Sequence, residues 1–118
     1  MKLQNLTPIL YTNDLNETLR FYRQHLGLEC IAKEWEWARI CNGTICIMIS
    51  KPNQHLPFDK AHFTGSFYFE TSAVEILWNQ LKDEVRVAYP MEDFEYGMRE
   101  FAIFDNNGYL LQFGKELE

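Results

Sequence analysis

Hydrophobic and polar residues alternate along much of this chain, and that pattern predicts short β-strands interrupted by two helices. In the first half, a strand is expected over Leu3–Tyr11, followed by a helix whose apolar residues recur at helical spacing. Asp14 or Asn16 can cap the start of that helix, and Gly27 can end it. Three further strands are predicted at Leu28–Ala32, Trp35–Cys41 and Thr44–Ser50, with a tight turn at Asn42-Gly43.

The second half repeats this order of elements. When Ile9 is aligned with Phe67, Leu19 falls on Leu77, and Ser72 with Glu75 predicts a capping box at the second helix. The predicted strands are Gly65–Glu70, Val85–Tyr89, Met98–Asp105 and Tyr109–Gly114. We therefore predict an α+β fold of two β-α-β-β-β modules, at residues 1–50 and 65–118, joined by a linker at 51–64 within one domain spanning 1–118. Two such sheets facing each other would enclose a groove, with the helices packed outside.

Composition limits the possible partners. A chain of 118 residues with 47% hydrophobic content can build a core without disulfides, and its three cysteines form no CxxC pair typical of a zinc site. This favours a reduced, cytoplasmic setting. The formal net charge of -6 opposes binding to nucleic acid. No run of about 18 apolar residues predicts a membrane span.

Two segments carry a resemblance to a known family. The closing segment Tyr96–Gly114 contains the turn Asp105–Gly108 and the polar strand residue Gln112, and the opening segment runs from Leu10 to Leu28. In order and spacing they resemble the vicinal oxygen chelate superfamily, which includes glyoxalases, bleomycin resistance proteins and dioxygenases. The closing segment is most similar to the bleomycin-resistance branch. The resemblance implies a half-barrel around a groove, with the helices outside.

The same resemblance implies four positions at which metal-dependent members hold a divalent ion. They fall on Thr7, Gly65, Gln112 and either Met48 or Cys46. Glycine offers no donor, and threonine and methionine are poor ligands for such an ion, which prefers carboxylate or imidazole. We therefore expect the fold and the groove without a metal, a cofactor or a catalytic residue.

Because side chains alternate along a strand, these positions also predict which neighbouring residues face the groove, and many of those residues are aromatic. If Thr7 faces the groove, neighbouring odd-numbered strand residues face it too, and one face of the segment at residues 34–39 carries two tryptophans. Aromatic faces flanked by carboxylates suit a planar or cationic organic molecule. Two alternatives stay open, because the tryptophans could cover a core or a dimer interface and the strand amide could simply face solvent. The predicted ligand-binding residues are Thr7, Ile9, Tyr11, Trp35, Trp37, Met48, Gly65, Phe67, Phe69 and Gln112.

Three functions compete on this basis. The first is a metal-free homodimer of the bleomycin-resistance type, which confers antibiotic resistance by sequestering a small organic molecule. The second is a metal-dependent lyase, isomerase or dioxygenase that uses Gln112, His62 and Glu100. The third is an interaction domain whose groove is filled by its own side chains.

Alternation also puts Arg99 and Glu100 on opposite faces, and the acidic, aromatic stretch Pro90–Tyr96 is either a rim over the site or a mobile loop.

Overall fold

The computed structural model describes residues 1–118, which divide into two compact units, Met1–Lys60 and Ala61–Glu118. Each unit contains one four-stranded sheet and one helix. The predicted fold class, α+β with a repeated β-α-β-β-β order, is confirmed.

The first unit forms a sheet in the order β1-β4-β3-β2, in which β1 runs parallel to β4 and the other pairs are antiparallel. Side chains on one face of this sheet, including Leu10, Ile40 and Ile49, are buried, as are Leu15 and Tyr22 of the helix. Because successive strand residues point to opposite faces, their neighbours along each strand form the second face. The elements are β1 (Ile9–Tyr11), α1 (Leu15–Leu26), β2 (Glu29–Glu34), β3 (Trp37–Asn42) and β4 (Ile45–Ser50).

The predicted ends of α1 are confirmed. The Asp14 carboxylate accepts a hydrogen bond from the backbone N–H of Glu17 at 3.0 Å, so Asp14 rather than Asn16 is the N-cap. Gly27 ends the helix at φ 65°, a left-handed conformation that glycine adopts without a steric penalty.

The second unit repeats the same sheet order as β5-β8-β7-β6, with β5 parallel to β8. Its helix packs on a buried aromatic face, where the Trp78 and Phe101 ring centroids lie 5.2 Å apart and Phe113 stacks on Phe101 at 5.2 Å. Val74 and Leu81 anchor the two ends of the helix in this core. The elements are β5 (Phe67–Glu70), α2 (Val74–Leu81), β6 (Arg86–Phe94), β7 (Met98–Phe104) and β8 (Leu110–Glu116).

Several predicted boundaries are wrong. The capping box at Ser72 does not form, because α2 begins at Val74 without a side-chain cap. Strand β6 runs through Pro90 to Phe94, so the stretch predicted as a rim or loop is mostly strand; proline is tolerated there because β6 is an edge strand with irregular register. Trp35 lies in the two-residue turn between β2 and β3 instead of in a strand.

The cysteines also differ from expectation, since Cys41 and Cys46 form a disulfide across the β3–β4 hairpin. The two residues are register partners with a Cα–Cα distance of 4.2 Å. Sequence spacing alone missed this pair because the hairpin, and not a CxxC motif, brings the residues together. Cys30 is a free, exposed thiol.

Neither helix is long and apolar enough to cross a membrane.

Candidate functional site

A buried carboxylate marks the most unusual polar site in the second unit. Glu100 lies in the middle of β7 and is only 1% exposed. Its register partner on β8 is Gly114, and its neighbour Phe101 points the other way, into the core beneath α2. Glu100 therefore lies on the sheet face opposite to the helix.

Three tyrosine hydroxyls and one amide donate hydrogen bonds to this carboxylate. Glu100 Oε1 accepts from Tyr96 Oη at 2.7 Å and from Tyr68 Oη at 3.2 Å. Glu100 Oε2 accepts from Tyr89 Oη and from Gln112 Nε2, the latter at 3.2 Å. An ionised carboxylate can accept all four of these bonds. We call these five residues, Glu100, Tyr68, Tyr89, Tyr96 and Gln112, the Glu100 cluster.

Further contacts hold the donors of the cluster in place. Gln112 Nε2 also donates to Tyr89 Oη at 2.6 Å, and Gln112 Oε1 accepts from Ser66 Oγ. Gly114 leaves room for the Tyr68 ring, because a Cβ there would overlap the Tyr68 hydroxyl. Ser66, just before β5, and Tyr89 of β6 thus set the orientation of the amide, and Gly114 of β8 sets the position of Tyr68.

Aromatic rings pack together beside the hydroxyls that bind the carboxylate. Phe94 stacks on Tyr96 with 5.3 Å between ring centroids and meets Tyr89 edge to face at 5.7 Å. Tyr96 is 65% exposed and lies in the turn between β6 and β7, while Tyr68 is 41% exposed. Tyr96 is consequently the most exposed residue among the donors.

Burial and the nearby carboxylate raise the pKa values of the three tyrosines. The hydrogen bond to Glu100 is the main cause for Tyr96, whose pKa rises from 10.0 to about 12. Burial is the main cause for Tyr68, followed by the negative charge of Glu100, and its pKa also rises to about 12. Burial and then the bond to Glu100 raise the pKa of Tyr89. All three hydroxyls therefore keep their protons, and remain donors, at neutral pH.

The carboxylate has no cationic partner among the side chains. Its four hydrogen bonds come from neutral groups, and the ion pairs of this unit lie elsewhere. A buried charge is costly unless it is paired as well as hydrogen-bonded. Such an arrangement favours a cation that approaches through the exposed aromatic side.

The opposite face of β7 carries the ion pairs. Arg99 donates to Asp93 Oδ1 from Nε at 2.7 Å and to Glu75 Oε2 from Nη1 at 2.6 Å, and Lys115 Nζ lies 2.8 Å from the same Glu75 oxygen. Hydrogen bonds from Lys115 and then from Arg99 lower the pKa of Glu75 from 4.5 to about 2. The predicted separation of Arg99 and Glu100 onto opposite faces is confirmed.

Among the predicted site residues of this unit, Gln112 alone belongs to the Glu100 cluster. The predicted face of Phe67 and Phe69 is wrong: Phe67 pairs with Leu111 and Phe69 with Phe113, so both share the face of the helix-covered core. Gly65 precedes β5 and lies outside the strand. The inward and outward alternation of side chains around β5 was predicted one residue out. Ser66 and Tyr68 therefore lie beside Gln112, where Gly65 and Phe67 were expected.

The predicted residues of the first unit behave differently. Ile9 and Met48 are register partners, and Tyr11, Ser50 and Trp37 form one row across β1, β4 and β3, all on the face away from the buried core. Thr7 precedes β1. Trp35 is 96% exposed at the hairpin tip with a φ of 50°, apart from that row. Their role in ligand binding stays a prediction.

The residues at the positions that the resemblance assigns to metal ligands are poorly suited to bind a metal ion. Gly65 has no side chain, and Thr7 and Met48 supply a hydroxyl and a thioether, which are weak ligands for a divalent ion. Cys46, the alternative to Met48, is bonded to Cys41, and Gln112 Oε1 already accepts the Ser66 hydroxyl. No group of three or more histidine, cysteine, aspartate or glutamate side chains lies together in a way that could hold a metal ion.

Sequence reasoning missed most of the Glu100 cluster. The tight turn at residues 105–108 brings β7 and β8 together, but counting outward from it pairs Glu100 with Phe113, one residue away from its observed partner Gly114. No comparable local signal exists for Tyr68 and Tyr89. Their strands reach this face through pairings that depend on the folded sheet.

Comparisons with known proteins agree with the fold. The family model described as Glyoxalase/Bleomycin resistance protein/Dioxygenase superfamily matches residues 3–113. No curated protein matches the sequence.

Several solved structures share the fold at low sequence identity. A protein of unknown function from Agrobacterium tumefaciens strain C58 is 22% identical, with 99% of this chain and 97% of that chain covered at a TM-score of 0.84. A glyoxalase/bleomycin resistance protein/dioxygenase from Nocardioides is 16% identical, with 100% and 87% covered at 0.78. A lactoylglutathione lyase from Agrobacterium tumefaciens is 20% identical, with 95% and 92% covered at 0.71. These similarities show the fold alone.

Proposed function

The chain belongs to the glyoxalase/bleomycin resistance protein/dioxygenase superfamily, and on that premise we propose that it binds a cationic, planar organic molecule at the Glu100 cluster. One observation carries the proposal. Glu100 is buried and accepts hydrogen bonds only from neutral donors, three of which are tyrosines, and Phe94 packs against two of those tyrosine rings. A ligand with a positive charge and a flat ring system would supply the missing counter-charge and stack on those rings.

The proposed route to the carboxylate passes through Tyr96. Because Tyr96 is 65% exposed and lies in a turn, it can leave Glu100 Oε1 with less loss of packing than a strand residue. A cationic ligand N–H that takes over this hydrogen bond would add a positive charge beside the carboxylate, which the neutral Tyr96 hydroxyl does not supply. Tyr68, Tyr89 and Gln112 would continue to hold the carboxylate in place.

Binding, with no bond changed, is the proposed activity. The donor set at the family's metal positions is weak, and the only amide among them is engaged by Ser66 and Tyr89. The proposal therefore assigns no metal, cofactor or catalytic residue. Sequestration lowers the free concentration of a toxic ligand by mass action, so we propose antibiotic resistance as the physiological role.

Calorimetric titration at pH 8 tests this proposal with two probes of similar shape and different charge, cationic proflavine and uncharged acridine. We expect proflavine to bind more tightly than acridine. Glu100→Gln should weaken proflavine binding at least about tenfold, which corresponds to roughly 1.4 kcal/mol. Glu84→Gln removes the same charge from an exposed position and is the matched control.

A second variant tests the route to the carboxylate. Tyr96→Phe removes the competing hydroxyl and keeps the ring, so it should bind proflavine as tightly as the wild type or several-fold more tightly. Equal loss of affinity in Glu100→Gln and Glu84→Gln, with both proteins folded by circular dichroism, would refute the proposed site. Loss of binding after dialysis against EDTA would favour the metal-dependent alternative.

Two further expectations are also proposals. We expect a cytoplasmic homodimer. Sedimentation equilibrium should give a mass of about twice the 14.1 kDa of one chain, and the mass of a monomer at micromolar concentration would contradict this expectation. Expression of the wild-type chain, but not of Glu100→Gln, should protect bacteria from a toxic planar cation.

A further inference from the structure

The two bonded cysteines of the first unit lie in a geometry that the strands themselves create. Cys41 on β3 and Cys46 on β4 are directly opposite, between the register pairs Ile40–Ile47 and Asn42–Ile45. The two Cα atoms lie 4.2 Å apart, close to the separation of about 4.5 Å that an antiparallel ladder gives its closer pairs without any cross-link. Opening and closing the disulfide requires no rearrangement of the hairpin.

Both cysteines are also within reach of small molecules. The side chains of Ile40 and Ile47 are buried on the helix-covered face, so strand alternation puts Cys41 and Cys46 on the other face, where both are half-buried. The disulfide closes a short loop, and a short loop gains less stability from a cross-link than a long one does.

The third cysteine cannot take part. Cys30 on β2 is the register partner of Ile40 and so lies on the opposite face of the sheet, where its thiol is within 3.4 Å of the Ala32 carbonyl oxygen. The first unit thus contains one facing pair and one isolated thiol, which serves as an internal control.

We infer that Cys41 and Cys46 form a reversible thiol–disulfide exchange site for low-molecular-weight thiols and disulfides. In the oxidising direction, one thiolate of the pair attacks a sulfur of the small disulfide and forms a mixed disulfide, which releases one small thiolate. The second cysteine thiolate then attacks the protein sulfur of that mixed disulfide and releases the second small thiolate. The protein loses two electrons and two protons, the small disulfide is reduced to two thiols, and a dithiol reverses the reaction. The inference does not depend on the Glu100 cluster.

The test uses the full chain with Cys30→Ser, incubated without denaturant in buffers of varied reduced-to-oxidised glutathione ratio. Samples are quenched with acid, alkylated with N-ethylmaleimide and weighed by intact-mass spectrometry. We expect a single exchange between a doubly alkylated dithiol and an unalkylated form lighter by two hydrogens. The rate should change less than about threefold when a sub-denaturing concentration of urea is present, because the site is already accessible.

Two substitutions extend the test to the intermediate. Cys46→Ser should accumulate a mixed disulfide between Cys41 and glutathione, and the wild-type chain should show the same exchange with Cys30 either alkylated or in a mixed disulfide with glutathione. The inference is overturned if the pair opens only under unfolding conditions, which would make it a structural cross-link. It is equally overturned if the pair stays reduced in oxidised glutathione.

Discussion

Gly114→Ala offers the sharpest test of how the Glu100 cluster is packed. A Cβ at this position would overlap the Tyr68 hydroxyl and lie 2.9 Å from Tyr68 Cζ and 3.1 Å from Glu100 Cβ. Tyr68 is 41% exposed, so its ring can swing outward and relieve the overlap. That movement breaks the 3.2 Å hydrogen bond from Tyr68 to Glu100 Oε1.

The cost follows from three contributions. A hydrogen bond to a charged group is worth about 1.5–3 kcal/mol, and the length and partial exposure of this bond favour the lower end. The remaining close contact with Glu100 Cβ adds about 1 kcal/mol of overpacking. The alanine restricts the unfolded chain and returns about 0.5 kcal/mol. We therefore expect Gly114→Ala to lower the free energy of unfolding by about 2 kcal/mol.

Urea denaturation followed by circular dichroism measures this loss, and a double-mutant cycle assigns its cause. In a Tyr68→Ala background the ring is absent, so Gly114→Ala should cost less than about 1 kcal/mol, leaving a coupling of at least about 1 kcal/mol. An undiminished cost in that background, or a Gly114→Ala protein as stable as the wild type, would show that the glycine does not make room for Tyr68.

Three further predictions address charge and backbone strain. Alkaline titration at 295 nm should show Tyr68 and Tyr96 ionising near pH 12, so their stabilisation is complete below pH 10 and is lost as the pH rises through 12. Glu100→Gln should lower the pKa of Tyr96 more than that of Tyr68, whose shift arises mainly from burial, and equal decreases would contradict this order. Because the pKa of Glu75 is lowered, its ion pairs should stabilise the protein fully above pH 4.5 and progressively less as the pH falls towards 2. Glu75→Gln should therefore flatten the acid side of the curve of unfolding free energy against pH. An unaltered curve would argue against the ion pairs. Trp35→Asn should raise the free energy of unfolding by about 0.5–1 kcal/mol, because asparagine tolerates the φ of 50° better than an exposed tryptophan does. A decrease in the urea midpoint would count against backbone strain at this turn.

The accuracy of the sequence-based predictions differs between helices, strands and site. The start and end of α1 could be predicted because a cap is a local interaction, as the Asp14 contact with Glu17 shows. The start of α2 could not, since Ser72 satisfied the pattern of a capping box without adopting its geometry. The face of β5 was predicted one residue out because Gly65, the position that the resemblance assigns to a metal ligand, was taken to face the groove, and alternation from it put Phe67 and Phe69 on the wrong side.

The amino-acid sequence by itself determined the repeated module, the two helices and the approximate strand order, because periodicity, caps and turn residues act over a few positions. Only the tertiary structure decided which residues meet. Glu100 gathers donors from β5, β6, β8 and the turn before β7, and Cys41 meets Cys46 across a hairpin. Strand register specifies these meetings, and register is fixed by pairing between strands that can be distant in sequence.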